Sequence, residues 1–301
     1  MKRVGWLDVA EAGGALGIQF FVVACTLFGR STGRFLLWFV ALYYALFHAT
    51  ARRASRDWLE RIHGPGRVTF GMIYRHVLRF AQVALDRLFL IRRQMSHFKI
   101  RTHGDEHLQT IRNSRTGTVL LGAHLGSFEA MRAQAELHGV RVNIVGHFGN
   151  ARMINTALQR LDPKCTARLI EVEPGQIDFI FNIKECIERG EHVAILADRV
   201  GIAGDEVQVK FMGDPVRLPG GVYLLAHTLR CPVYLMFTTY SEPNLYDIYC
   251  EPFADRIVLP RGARSEAIAG YAQRYADRLS HHARRAPDNW FNFFDFWAAA
   301  P

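Results

Sequence analysis

"TVLLGAHLGSFEA", residues 118–130, decides the fold. Thr118–Ala123 is a short aliphatic run of the kind that forms a strand buried on both faces. Gly126 permits a tight turn, and Ser127 is a good N-cap for the helical run "FEAMRAQAEL" that follows. The stretch therefore reads as strand, loop, helix. His124 falls on the loop and Glu129 in the first helical turn.

The same alternation continues outward from there. Strand-like runs stand at 118–123, 141–146, 192–197, 232–238 and 246–251. Helical segments fit at 128–138, 150–160, 176–189 and 219–229, with a further helix over Arg264–Ala283. Strands alternating with helices predict an α/β fold, a layered sheet flanked by helices. Residues 55–100 look helical, broken at "HGPGR" (63–67). "FMGDPVRLPGG" (211–221) reads as a loop over a site, or as a β-turn leading into a Pro-initiated helix. "DNWFNFFDFW" (288–297) reads as a core-packing tail, or as a lining for an apolar channel.

Upstream, Ala12–Gly29 and Phe35–Ala51 are charge-free stretches of 18 and 17 residues, separated by Arg30 and Arg34. As helices each extends about 25–27 Å, at the short end for a bilayer core. Arg52, Arg53, Arg56 and Arg61 follow, a basic flank that reads as cytoplasmic. Asp8 and Glu11 stand where a signal peptide needs a basic leader. Membrane attachment, spanning or interfacial, is expected ahead of a buried hairpin. The chain thus divides into a membrane-associated helical region at 1–54 and a domain at 55–301, with a helical lead-in at 55–100 and an α/β core at 101–301.

With 301 residues, half of them hydrophobic, the chain can bury a sizeable core. A formal charge of +9 favours anionic partners without choosing among them. No RNP-like aromatic pattern or helix-turn-helix spacing marks a nucleic-acid binder. Five cysteines at wide spacings, with no CxxC pair, give neither a zinc knuckle nor a disulfide framework.

His124 and Glu129 are the candidate chemistry. On one continuous helix, five positions would turn them about 140° apart. With His124 on the loop and Glu129 on the first turn, they can meet. A carboxylate there is held ionised by the helix N-terminus and can fix the tautomer of an imidazole, which then takes a proton from a hydroxyl. No His-Glu-x-x-His run and no Gly-x-Ser-x-Gly elbow competes. A strand-capping histidine with a solvated glutamate is the plain alternative.

The whole sequence resembles the bacterial lipid A late acyltransferase family, within the wider lysophospholipid acyltransferase group marked by His-x4-Asp/Glu. The resemblance is carried in order by the apolar start, the basic "ARRASRDWLERI", the "LLGAHLGSFEA" dyad and "HFGNARMINTALQRL". It continues through "ILADRVG", the block "VQVKFMGDPVRLPGGVYLLAHTLRCPVYLMF" and the ending "APDNWFNFFDFW". The tyrosine–arginine pair common before the Asn helix is absent, and "GHFGN" stands in its place. The resemblance implies an enzyme that moves an acyl group from an acyl-carrier-protein thioester to a hydroxyl of a membrane lipid or glycolipid. It implies no other cofactor and no metal. The expected place is the bacterial inner membrane, with the catalytic domain on the cytoplasmic side. His124 would be the general base and Glu129 its orienting carboxylate. Arg199, positioned by Asp198, is the first candidate to stabilise the oxyanion, ahead of Arg152 and Arg168. The alternatives are a lysophospholipid, glycerol-phosphate or aryl-polyene-type lipid acyltransferase, and a catalytically idle lipid-binding protein on the same fold.

Overall fold

The computed structural model describes residues 15–146, 169–172, 178–200 and 206–299. Its centre is a seven-stranded sheet. The strands are β1 (Lys99–His103), β2 (Val119–Gly122), β3 (Val142–Gly146), β4 (Leu169–Glu171), β5 (His192–Leu196), β8 (Val233–Ser241) and β9 (Leu245–Ala254). Their spatial order is β1-β9-β8-β2-β5-β3-β4. All neighbours are parallel except β8 and β9, which form an antiparallel pair. The expected layered α/β architecture is therefore present, and all five expected strands are found.

Side-chain alternation along β2 explains the layers. Val119 and Leu121 face one large core shared with α6 (Asp178–Glu188), α7 (Gly221–Leu229) and α8 (Arg264–Arg285). Leu120 faces the opposite side, against Ile111 of α4 (Asp105–Asn113) and Met131 of α5 (Phe128–Leu137). Burial on both faces is why β2, β3 and β5 read as near-continuous aliphatic runs.

Five elements escaped the sequence reading. β1 and α4 lie where only a change of texture was visible, and β4 is a three-residue edge strand. The stretch around 211–221 holds the expected β-turn, at Met212 and Gly213, ahead of a helix, and the residues on either side of the turn pair with each other. They form a separate hairpin, β6 (Glu206–Phe211) and β7 (Asp214–Pro219). Met212 and Gly213 turn it with φ of 56° and 98°, as a two-residue hairpin turn requires. The expected helix at 150–160 lies outside the described residues.

At the N-terminal end, α1 (Ala15–Phe47) is continuous except at Gly29, whose φ of 81° and ψ of 179° are not helical. It is followed by α2 (Ala49–His63) and α3 (Phe70–Ile91), with the break at "HGPGR" as expected. Among the described residues no single helix is long and apolar enough to cross a membrane. Val22–Phe47 and Ala49–His63 pass only together, as a pair bent by 90°. The aromatic tail packs into the core. Trp290, Phe291 and Phe296 are buried, and Trp290 lies against Trp58 of α2 with ring centroids 4.6 Å apart.

Candidate functional site

β2 and β5 are parallel neighbours, with Gly122 opposite Leu196. The pairing runs one step further, as Ala197 N donates to Gly122 O at 3.0 Å. One residue beyond that lie His124 and Asp198, at the carboxyl ends of adjacent central strands. That end of an α/β sheet is where ligands usually bind.

The loop that carries His124 is tightly fixed. Gly126 has a φ of 62°, and a Cβ there would stand 2.3 Å from Thr238 O, so only glycine fits. Ser127 caps α5, its Oγ accepting from Ala130 N at 3.2 Å. Thr238 Oγ1 accepts from Ser127 N and donates to Leu125 O. The tail closes the other side: Phe291 N donates to His124 O at 2.7 Å, and Gly126 N to Asn289 O at 2.8 Å.

The carboxylate that meets His124 is Asp198. Its Oδ1 is 2.7 Å from His124 Nδ1. Its Oδ2 accepts from His124 N, Trp290 Nε1 and Asn292 Nδ2, each at 3.0 Å. The Asp198 side chain is fully buried, and His124 keeps 26% of its side-chain surface open. Burial would raise the Asp198 pKa, but the charge of His124, its hydrogen bonds and the charge of Arg199 together hold it well below the usual carboxylate range. An ionised Asp198 accepts, so His124 Nδ1 carries the proton and Nε2 keeps its lone pair. The His124 pKa itself is lowered, by burial first and by the Arg199 charge second, against the opposing pull of Asp198.

Glu129 lies elsewhere in the network, which corrects the expected His124–Glu129 contact. Its Oε1 accepts from Arg87 Nε of α3 at 2.8 Å, and its Oε2 from Arg132 Nε at 2.9 Å. The cause is local. Arg132 is three residues on along α5, α3 brings Arg87 alongside, and two guanidiniums hold a carboxylate more strongly than one neutral imidazole. Burial would raise the Glu129 pKa, and the charges of Arg87 and Arg132 reverse that, leaving it lowered.

Arg199 follows Asp198 directly. Its Nε donates to Asn292 Oδ1 at 2.7 Å and its Nη2 to Phe291 O at 2.9 Å. Burial brings its pKa down to about 10, against the pull of Asp198. Arg152 and Arg168 lie outside the described residues. The sequence reading missed Trp290 and Asn292, the two tail donors to Asp198. The only signal for them was polar side chains inside the aromatic run "NWFN".

A narrow apolar pocket opens between α5 and the sheet. Ala123 and Leu125, on either side of His124, reach it, and Gly122, Phe128, Met131 and Met236 help to line it. Among the described residues no group of three His, Cys, Asp or Glu side chains is placed to hold a metal ion. Chemically, the site offers a tautomer-fixed, partly exposed imidazole within reach of the charge of Arg199.

A family model described as bacterial lipid A biosynthesis acyltransferase matches residues 10–298, nearly the whole chain. No curated protein matches it.

Proposed function

This chain belongs to the bacterial lipid A biosynthesis acyltransferase family, and from that premise we propose that it transfers a fatty acyl group from an acyl-carrier-protein thioester to a hydroxyl of a lipid or glycolipid acceptor at the cytoplasmic face of the inner membrane. The observation that carries this reading is the His124–Asp198 pair, 2.7 Å apart at two adjacent strand ends, with the His124 ring partly open. His124 Nε2 takes the acceptor hydroxyl proton as the oxygen attacks the thioester carbonyl. The tetrahedral intermediate collapses, the C–S bond breaks, and His124 returns the proton to the leaving thiolate. No covalent acyl-enzyme is formed. Asp198 holds the ring and stabilises its cation, and Arg199 supplies positive charge as the oxyanion develops.

Glu129 serves the site as the carboxylate that holds Arg87 and Arg132. The formal charge of +9 suits an acidic carrier protein, so the apparent KM for the donor rises with salt. The direct test incubates labelled acyl-carrier-protein thioesters with a total lipid extract, using parent and His124→Ala proteins. A labelled lipid formed by the parent alone supports transfer and identifies the acceptor. Bound lipid without turnover would instead support an idle lipid-binding protein.

A further inference from the structure

Beyond Gly29, α1 has two unlike faces. Leu37 and Ala41 are buried in one cluster with Val77, Leu78 and Leu85 of α3, and Ala45 is buried on the same side. Gly33 continues that stripe, where a Cβ would meet Leu85 at 3.1 Å. Gly33 and Ala41, the small residues that face α3 in this stripe, let the two helices approach closely. The outer face carries Phe35, Trp38, Phe39, Leu42, Tyr43 and Leu46, each between 40% and 62% exposed. Their three- and four-residue spacing places them on one continuous apolar face. That is unusual for a surface open to water.

The inner face cannot leave the domain cheaply. Arg30 donates to both oxygens of the fully buried Asp86 of α3, at 2.7 and 2.9 Å. Arg34 donates to Tyr240 Oη and to Glu242, each at 2.8 Å. If this part of α1 stood upright in a bilayer, α3 would have to follow it, carrying Asp86, Arg79 and Arg87 into hydrocarbon. Lying flat costs none of these pairs. Arg52 turns back on the C-terminal carbonyls of α1, at Ala45 and Leu46. Immediately beyond, α2 presents the exposed Arg53 and Arg56. An apolar face with an indole and a phenol, bordered by guanidiniums, matches the chemistry of an anionic lipid surface.

We infer that the Phe35–Phe47 part of α1 docks in the plane of an anionic bilayer, as an interfacial segment that does not span it. This rests on the reading of the chain as a membrane-associated enzyme, and it adds the face and the orientation.

The test uses the full chain and preformed vesicles of phosphatidylglycerol and phosphatidylethanolamine, or of phosphatidylcholine alone. The parent floats with the anionic vesicles. Trp38→Ser/Phe39→Ser/Tyr43→Ser lowers that partition at least tenfold while melting as the parent does. Arg53→Glu/Arg56→Glu lowers it on anionic vesicles and leaves the phosphatidylcholine value unchanged. Orientation is read from quenching by brominated lipids of a dye placed on Phe35→Cys or Leu46→Cys, in a chain carrying Cys165→Ser. In-plane docking gives both dyes one depth, whereas a spanning helix separates them by about 16 Å. Two depths, or a triple-serine variant that floats like the parent, overturn the inference and leave membrane association standing. A parent that fails to float overturns both. If that parent sediments as a dimer and the triple-serine variant as a monomer, the face belongs to a second copy of the chain.

Discussion

His124 Nδ1 and Asp198 Oδ1 stand 2.7 Å apart although 74 residues separate them in the chain. The strand register makes the pair, and Trp290 and Asn292 lock the carboxylate in place. An amide at 198 cannot stabilise the imidazolium and leaves the tautomer unfixed. Asp198→Asn is therefore expected to lower kcat by about 10²–10⁴ with little change in KM, approaching the loss in His124→Ala. Steady-state kinetics on protein shown to be folded by its melting curve decide this. A near-parental kcat would remove Asp198 from its positioning role.

The pH profile follows from the same pair. The base must be neutral to act, and the His124 pKa is lowered from 6.5, by burial and then by Arg199. The acid limb of kcat/KM should have its midpoint below pH 6.5, with activity level between pH 7 and 8. Arg199→Gln removes a positive charge and moves the limb to higher pH. Asp198→Asn removes the opposing pull and moves it lower. If the limb of Arg199→Gln coincides with that of the parent, the Arg199 charge is not felt at His124.

The sequence reveals one half of this site better than the other. His124 is legible because the aliphatic run ends just before it, and Gly126 and Ser127 mark a turn and a helix start. Its partner is not, because spacing along the chain favours the nearby Glu129, whereas contact depends on β2 and β5 being neighbours. Asp198 stands out in "ILADRVG", yet nothing there says which strand lies beside it. The missed strands have a similar cause. β1, "KIRTH", is an edge strand with alternating exposure, so it lacks the aliphatic run that marks β2 and β5. In β6 and β7 the alternation is short and sits among Gly and Pro.

Glu129 tests the division of roles. Glu129→Gln leaves the Arg87 and Arg132 guanidiniums short of a carboxylate in a largely buried place, with Glu136 still bonded to Arg132. A loss of about 2–4 kcal/mol in stability is expected, measured by denaturant unfolding. Whatever activity remains should keep the acid limb of the parent, since His124 retains Asp198. A limb displaced as far as in Asp198→Asn would couple Glu129 directly to the base.

His76 links stability to the same site. Its Nε2 donates to Trp290 O at 2.9 Å, and its Nδ1 accepts from Ser55 Oγ at 2.8 Å. Trp290 in turn donates to Asp198. Burial lowers the His76 pKa from 6.5 to about 4, and burial does the same to His192. The unfolded chain therefore binds protons that the folded chain refuses. The contribution of each of these histidines is level above about pH 7 and falls by about 3 kcal/mol between pH 6.5 and pH 4, and below that the lowered carboxylates Asp198 and Glu129 extend the loss. His76→Gln removes one of these titrations. Between pH 4.5 and 6 its unfolding free energy should fall less steeply than in the parent, by about 1.4 kcal/mol per pH unit. An unchanged slope would mean that His76 is not held neutral in the fold. A reduced slope would tie acid loosening of the tail to the residue that holds Trp290, and so to the carboxylate on which His124 depends.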